Sequence, residues 1–236
     1  MKKLIVYILI LFFPFIAVAE DQDEFKKAFE SALEFLKTNE YEKALELYLW
    51  IDENANETEM AYGAVKLPAY YYWGSLASRY PKAMKIFKEV RDEKTSNLKS
   101  GQYSEKLFTD ISFINTSFGE SYKTVKLFEY LDHSNPEFAK LVYKTVESDL
   151  LKHKRYQLSR KYLDDSLKRL NDSIDQHIRL IEIDESIRQR IEPVLIDEVI
   201  RIITILDECD ERSLALEIID RALEVLNDNE IQNLLK

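Results

Sequence analysis

The chain has 236 residues, of which 43 are acidic and 33 are lysine or arginine, so its formal net charge is −10 at pH 7. This acidic balance argues against broad binding to nucleic acid, which requires clustered positive charge. Cys209 is the only cysteine in the sequence, so no intramolecular disulfide can form and core packing must hold the fold together.

The N-terminus has the pattern of a secretory signal peptide at residues 1–19. Two lysines precede an apolar run at residues 4–16, and a small-x-small triplet ends just before Glu20. The run is shorter than the ~20 residues that cross a bilayer, which favours cleavage after Ala19 over a retained anchor. The mature chain is therefore predicted to be exported without a stable membrane span. Its single cysteine favours a bacterial periplasm or exterior.

Helical periodicity dominates the rest of the chain. The whole sequence has only four glycines and five prolines, fewer than the turns of a strand-rich fold would need. The first segment instead places six apolar residues on one helix face: Phe25, Ala28, Phe29, Ala32, Leu33 and Leu36. Asn39 suits a left-handed turn after this helix. A second amphipathic helix is predicted from Tyr41 onward, so the two helices form a hairpin.

A segment that begins with tyrosine recurs along the chain. The second helix starts as YEKALELY at Tyr41, and related text starts at Tyr80 (YPKAMKIF) and Tyr122 (YKTVKLF), with a weaker copy at Tyr156 (YQLSRKYL). The intervals between these tyrosines are 39, 42 and 34 residues. An interval near 34 residues is typical of a helix-turn-helix repeat.

On these residues the chain resembles the tetratricopeptide-repeat family. Ala32 and Phe35 match the small and aromatic positions of the family's first helix, and Tyr41, Ala44 and Tyr48 match those of its second. The resemblance implies an all-α fold in which antiparallel helix hairpins stack as an α-solenoid. Because members of the family commonly hold a peptide or protein partner, it also implies such a partner here.

The repeats are assigned to residues 20–165, and residues 166–236 are predicted to form a C-terminal helical region packed on them. Pro193 is expected to interrupt a charged helical stretch at residues 166–192. The segment after it is apolar on most of its circumference, so neighbouring helices should bury it, with residues 214–226 as its partner. No linker rich in proline, glycine or serine precedes this region, which favours a cap over a separate domain.

Local catalytic and metal-binding motifs are absent from the sequence. There is no G-x-S-x-G, no H-E-x-x-H and no phosphate-cradling glycine loop. The three histidines, at positions 133, 153 and 177, are too far apart for a local metal motif. No cofactor or metal is predicted, and the chain is interpreted as a binding protein and not an enzyme. An unrecognised hydrolase stays open, because catalytic side chains can converge from distant segments.

The most unusual segment is a run of four aromatic residues in a predicted helix: Tyr70, Tyr71, Tyr72 and Trp73. Successive helical residues point about 100° apart, so one core cannot bury all four. One or two should reach a surface, where tyrosine and tryptophan commonly anchor partners. The polar segment at residues 52–66 is predicted to be a loop, which could fold over the run and form a pocket. The competing interpretation is that the run only packs against neighbouring repeats.

Two function hypotheses follow. The first is an exported helical-repeat scaffold that binds a protein or peptide partner in the cell envelope. The second is a small-molecule or glycan binding protein whose ligand stacks on the aromatic run from Tyr70 to Trp73.

Overall fold

The computed structural model describes residues 24–55, 61–163, 166–224 and 226. Within these residues the protein is all-α, with no strand and with helices packed in neighbouring pairs, which confirms the predicted fold class. The predicted signal peptide at residues 1–19 lies outside the described residues.

Helix α1 covers residues 24–37. The helices after it are α2 Tyr41–Asn54, α3 Leu67–Ala77, α4 Pro81–Lys99, α5 Glu105–Ser117, α6 Ser121–Ser134, α7 Pro136–Lys152, α8 Tyr156–Tyr162, α9 Ser166–Ile183, α10 Arg188–Asp207 and α11 Arg212–Leu223.

Left-handed residues end several helices and turn the chain into the next one. Asn39 has a φ of 63°, as predicted from its residue type, and the Glu40 N–H donates to the Phe35 carbonyl at 2.8 Å. This bond satisfies a carbonyl at the end of α1 that has no partner within the helix. Four later turns between helices share the positive φ, at Gly101, Gly119, Lys154 and Asp210.

The recurring tyrosines each mark the start of a helix. Tyr41 and Tyr156 are the first residues of α2 and α8, Tyr122 is the second residue of α6, and Tyr80 directly precedes α4. The even-numbered helices from α2 to α8 are therefore the second members of four successive helix-turn-helix segments. Pro81 begins α4, where its missing N–H costs no hydrogen bond.

The chain divides into two compact units at the Thr124–Val125 boundary, within α6. In the first unit α3 packs against α2, α4 and α5. The Trp73 ring lies at the centre of its core, stacked at 4.4 Å from the Phe87 ring and 6.2 Å from the Tyr48 ring.

In the second unit α10 packs against α9 and α11 and also contacts α7 and α8. Its apolar side chains fill the core of that unit, as predicted from their distribution around the helix. Val194 is the exception, with 66% of its surface exposed. The sequence-based boundary between residues 165 and 166 falls inside this second unit.

The prediction that Pro193 interrupts a helix was wrong. The break comes earlier, at Asp184, where a short 3-10 turn at Glu185–Ile187 separates α9 from α10. Pro193 lies within α10. Its missing N–H leaves the Gln189 carbonyl without a helical partner, but both residues are exposed, so water can hydrate that carbonyl.

The prediction of a polar loop over residues 52–66 was also wrong for the part that the structure describes. Helix α2 continues to Asn54, and Ala61–Lys66 forms a π-helix that leads directly into α3. Residues 56–60 lie outside the described residues. Asp52 and Lys66, at the two ends of the segment, are buried, because each finds an oppositely charged partner inside the first unit.

Candidate binding surface

The four consecutive aromatic residues of α3 point to two different environments. Tyr70 and Trp73 lie in the core, with 1% and 0% of their surfaces exposed, whereas Tyr71 is 70% exposed and Tyr72 is 36% exposed. Residues three apart share a helix face, so Tyr70 and Trp73 turn inward together and leave the other two outside. Neither inward ring can contact a partner unless the core opens. Of the four residues predicted as a binding site, Tyr71 and Tyr72 are the accessible ones.

Tyr71 and Tyr72 belong to a surface that also includes side chains of the helices on either side of α3. The Tyr72 ring meets the Phe29 ring of α1 edge-on at 5.8 Å, and the Tyr71 ring meets the Tyr72 ring edge-on at 5.3 Å. On α5, Phe113 is 40% exposed. We call Phe29, Tyr71, Tyr72 and Phe113 the aromatic face.

Phe113 belongs to this face because of how α5 packs on α3. Ser117, one helical turn after Phe113, donates a hydrogen bond to the Phe113 carbonyl at 2.9 Å, and its hydroxyl lies 3.3 Å from the Tyr70 carbonyl oxygen. Phe113 and Ser117 share one side of α5 because they are four residues apart. Phe113 therefore lies on the side of α5 that is next to α3.

The aromatic face is mostly uncharged but offers two free hydroxyl groups. The hydroxyls of Tyr71 and Tyr72 make no hydrogen bond to any residue that the structure describes. Four side chains one turn away from the face on α3 and α5 are not buried, and they are uncharged as well: Pro68, Ser75, Thr109 and Thr116. On α1, Lys26 and Glu30 border the face and pair with each other at 3.9 Å.

Two lysines and two aspartates form a largely buried ion-pair network in the same unit. Lys66 Nζ is 3.3 Å from Asp52 Oδ1 and 3.0 Å from Asp110 Oδ2. Lys94 Nζ is 3.0 Å from the same two oxygens. The π-helix brings Lys66 into this network, while α2, α4 and α5 supply the other three side chains. The four formal charges cancel, as burial of charge requires.

Tyrosine hydroxyls also bond to the two aspartates, and the network shifts the pKa values of Asp52 and Tyr70. Tyr70 donates a short hydrogen bond to Asp52, and Tyr62 donates to Asp110 at 3.0 Å. Burial acts to raise the pKa of Asp52, but Lys94, Lys66 and the Tyr70 hydroxyl together hold that pKa below its ordinary value. Burial and the nearby Asp52 raise the pKa of Tyr70 well above its usual range. Neither group is poised to exchange a proton near neutral pH, which argues for a structural role.

The second unit contains a comparable network around two carboxylates. Arg169 binds Glu147 through two parallel hydrogen bonds of 2.6 and 2.8 Å, and it also bonds Glu198. Lys144 and Arg201 donate to Glu198 at 2.9 and 2.6 Å. The cations outweigh the effect of burial and lower the pKa of Glu198 to about 2. This network ties α7, α9 and α10 together.

Sequence reasoning missed both networks because their members are far apart in the chain. One signal was nevertheless available: Glu198 interrupts an otherwise apolar stripe formed by Leu195, Val199 and Ile202. A charged residue at a core position is seldom buried without a partner. It can therefore mark a buried ion pair, although it does not identify the partner.

Among the residues that the structure describes, no group of three or more histidine, cysteine, aspartate or glutamate side chains is arranged to hold a metal ion. Within the same residues, no helix is long and apolar enough to cross a membrane. Comparison with known proteins gives no match: no family model, curated protein or solved structure is significantly similar to this chain. Its function must therefore be argued from its own surfaces.

Proposed function

We propose that this chain is an exported binding protein that holds an extended peptide segment of a protein partner across the aromatic face. One observation carries the proposal: the rings of Phe29 and Tyr71 both meet the Tyr72 ring edge-on at an exposed surface, and Phe113 is exposed on the side of α5 that is next to α3. Tyrosine provides a rigid apolar area with a polar tip, a combination that is enriched where proteins bind each other.

The chemistry of the aromatic face favours a segment with apolar side chains, proline among them. Aromatic grooves bind extended proline-containing segments because such segments lose little conformational entropy on binding. The backbone carbonyls of such a segment could accept hydrogen bonds from the free hydroxyls of Tyr71 and Tyr72. Because the α3 and α5 parts of the face carry no charge, a charged side chain of the segment would find no partner there.

Two further parts of the proposal rest on the sequence. Export rests on the signal pattern at residues 1–19, and the tetratricopeptide-like repeat rests on the tyrosine-led segments. The alternative, a small molecule or glycan that stacks on the run from Tyr70 to Trp73, has less support because two of those four rings have no exposed face.

Peptide selection tests the proposal with the purified mature chain, residues 20–236. We expect a displayed library of random peptides to yield apolar, proline-containing sequences that bind saturably in a fluorescence polarisation assay. A Tyr71→Ala, Tyr72→Ala double variant should bind them about tenfold or more weakly, since buried tyrosine contacts often dominate an interface. Both residues are exposed, so the variant should keep its fold, which its thermal unfolding can verify.

Tyr122→Ala is the matched control, because Tyr122 is also an exposed tyrosine, with 50% of its surface accessible, but lies on α6. This variant should bind the selected peptides as the wild type does. The proposal fails if no peptide is enriched, or if the control and the double variant lose affinity equally. If the selected peptides are charged and bind the double variant as tightly as the wild type, they bind at a different surface.

A further inference from the structure

A cavity of about 320 Å³ lies between α9 and α10 in the second unit. A volume of this size is at the lower end of the range for small-molecule sites. One stripe of α9 lines it, with residues at the i, i+3, i+4 and i+7 spacing of a single helix face: Ser173, Gln176, His177 and Leu180.

The opposite wall comes from one stripe of α10 and is apolar along most of its length. Ile191, Val194 and Leu195 line it. Leu195 is buried, but Val194 is 66% exposed although it is apolar and points into this space. The two helices thus leave part of their apolar faces uncovered at the cavity mouth, where a ligand could remove that surface from water.

His177 is the most buried polar side chain of the α9 wall, and Glu192 and Arg188 act on it only through their charges. Only 7% of its surface is exposed, and its ring makes no hydrogen bond or ion pair with any residue that the structure describes. Burial lowers its pKa, which favours a neutral imidazole with one donor and one acceptor nitrogen. Ser173 and Gln176 beside it also have no side-chain hydrogen bond within the described residues. An imidazole that makes no hydrogen bond within the described residues and lines a cavity can donate one hydrogen bond to a ligand there and accept another.

The charged end of the cavity belongs to a network in which three cations, Lys144, Arg169 and Arg201, pair with three carboxylates, Glu147, Asp197 and Glu198. Lys144 and Arg201 both donate to Glu198, at 2.9 and 2.6 Å, and all three residues line the cavity. An ionic ligand would have to break these pairs to find a counter-charge of its own. The site therefore suits an uncharged molecule better than an anion or a cation.

We propose that this cavity binds a small, neutral, mainly apolar molecule that carries one hydrogen-bonding group, such as an aromatic alcohol or amine. The apolar body lies between Leu180 and Val194, and the polar group pairs with the imidazole of His177. This site is independent of peptide binding at the aromatic face, and either proposal can fail without the other.

The first test uses N-phenylnaphthylamine, a neutral dye whose fluorescence rises in apolar surroundings. The purified mature chain should bind it saturably at one site. Val194→Trp, which fills the cavity mouth, should weaken binding about tenfold or more, because it removes the space that buries the dye. Ile183→Trp adds the same ring to a residue of α9 that is 81% exposed and outside the cavity lining, so it should bind normally. If Val194→Trp unfolds, Ser173→Trp serves instead.

The second test isolates the hydrogen bond by competition between naphthol and naphthalene for the dye site. His177→Phe keeps an aromatic ring but removes both nitrogens, so it should lower the preference for naphthol over naphthalene by about three- to tenfold, the value of one hydrogen bond. The proposal is overturned if binding of the dye is not saturable, or if the two tryptophan variants lose equal affinity for the dye. It is also overturned if His177→Phe keeps the wild-type preference for naphthol over naphthalene.

Discussion

Gly74 of α3 lies directly against Ser117 of α5, so closely that a Cβ atom added at Gly74 would be 2.9 Å from the Ser117 Cβ. Real Cβ contacts are not this short, and Ser117 Cβ is attached to the α5 backbone and cannot rotate away. The absence of a side chain at Gly74 therefore allows α3 and α5 to approach. That approach also sets how far Phe113, one turn before Ser117 on the same side of α5, lies from α3.

Gly74→Ala should lower the free energy of unfolding by about 1–3 kcal/mol, because the added methyl group forces the two helices apart. Alanine is a better helix former than glycine, so helix propensity alone would predict a more stable variant. Urea unfolding measures the difference. Gly63→Ala is the control: beyond its own helical neighbours, no atom of a described residue lies within 4 Å of the added Cβ, and stability should stay the same or rise. A Gly74→Ala variant as stable as this control would contradict the packing argument.

Lys66→Met should destabilise the first unit by about 3 kcal/mol, because it leaves Asp52 and Asp110 with Lys94 as their shared cation in the described network. Adding Asp110→Asn restores the balance of charge. The double variant should therefore lose less stability than the two single variants lose in total. Denaturant unfolding of the four proteins gives the coupling energy. Lys43→Met, which breaks the exposed pair with Glu40, should leave stability nearly unchanged, because water screens that pair. If the loss of stability in the double variant equals the sum of the losses in the single variants, the four charges do not act as one network.

Acid should weaken the second unit through Glu198. Its pKa falls from an ordinary 4.5 to about 2 in the folded protein, so the folded state binds this proton less readily than the unfolded chain does. The stabilisation is complete above about pH 4.5 and is lost as the pH falls towards 2. Urea midpoints measured between these pH values should therefore decrease with falling pH.

Glu198→Gln cannot titrate, so its urea midpoint should depend less steeply on pH in this window, although Glu147 and Asp52 still contribute. Glu217→Gln, on the exposed side of α11, should keep the slope of the wild type. If the urea midpoint changes equally with pH in the wild type and both variants, Glu198 is not the cause of this pH dependence.

The sequence by itself determined the all-α class, the turn at Asn39 and the start of the second helix in each helix-turn-helix segment. Residues three and four apart decide which face of a helix is apolar, and this local rule correctly placed Ala44 and Tyr48 in the core. Asn39 indicated a left-handed turn for an equally local reason, since its own side chain tolerates positive φ. The resemblance to tetratricopeptide repeats and the signal peptide stay predictions.

Only the tertiary structure decided which aromatic residues face outward and which charges are buried. Spacing alone showed that the run from Tyr70 to Trp73 could not be buried whole, but the packing of α3 against three helices selected Tyr71 and Tyr72 for the surface. The sequence placed Lys66 at the end of a predicted polar loop, because its partners, Asp52 and Asp110, come from other helices. Burial of a charge depends on partners that are close in space, and a local sequence pattern carries no information about them.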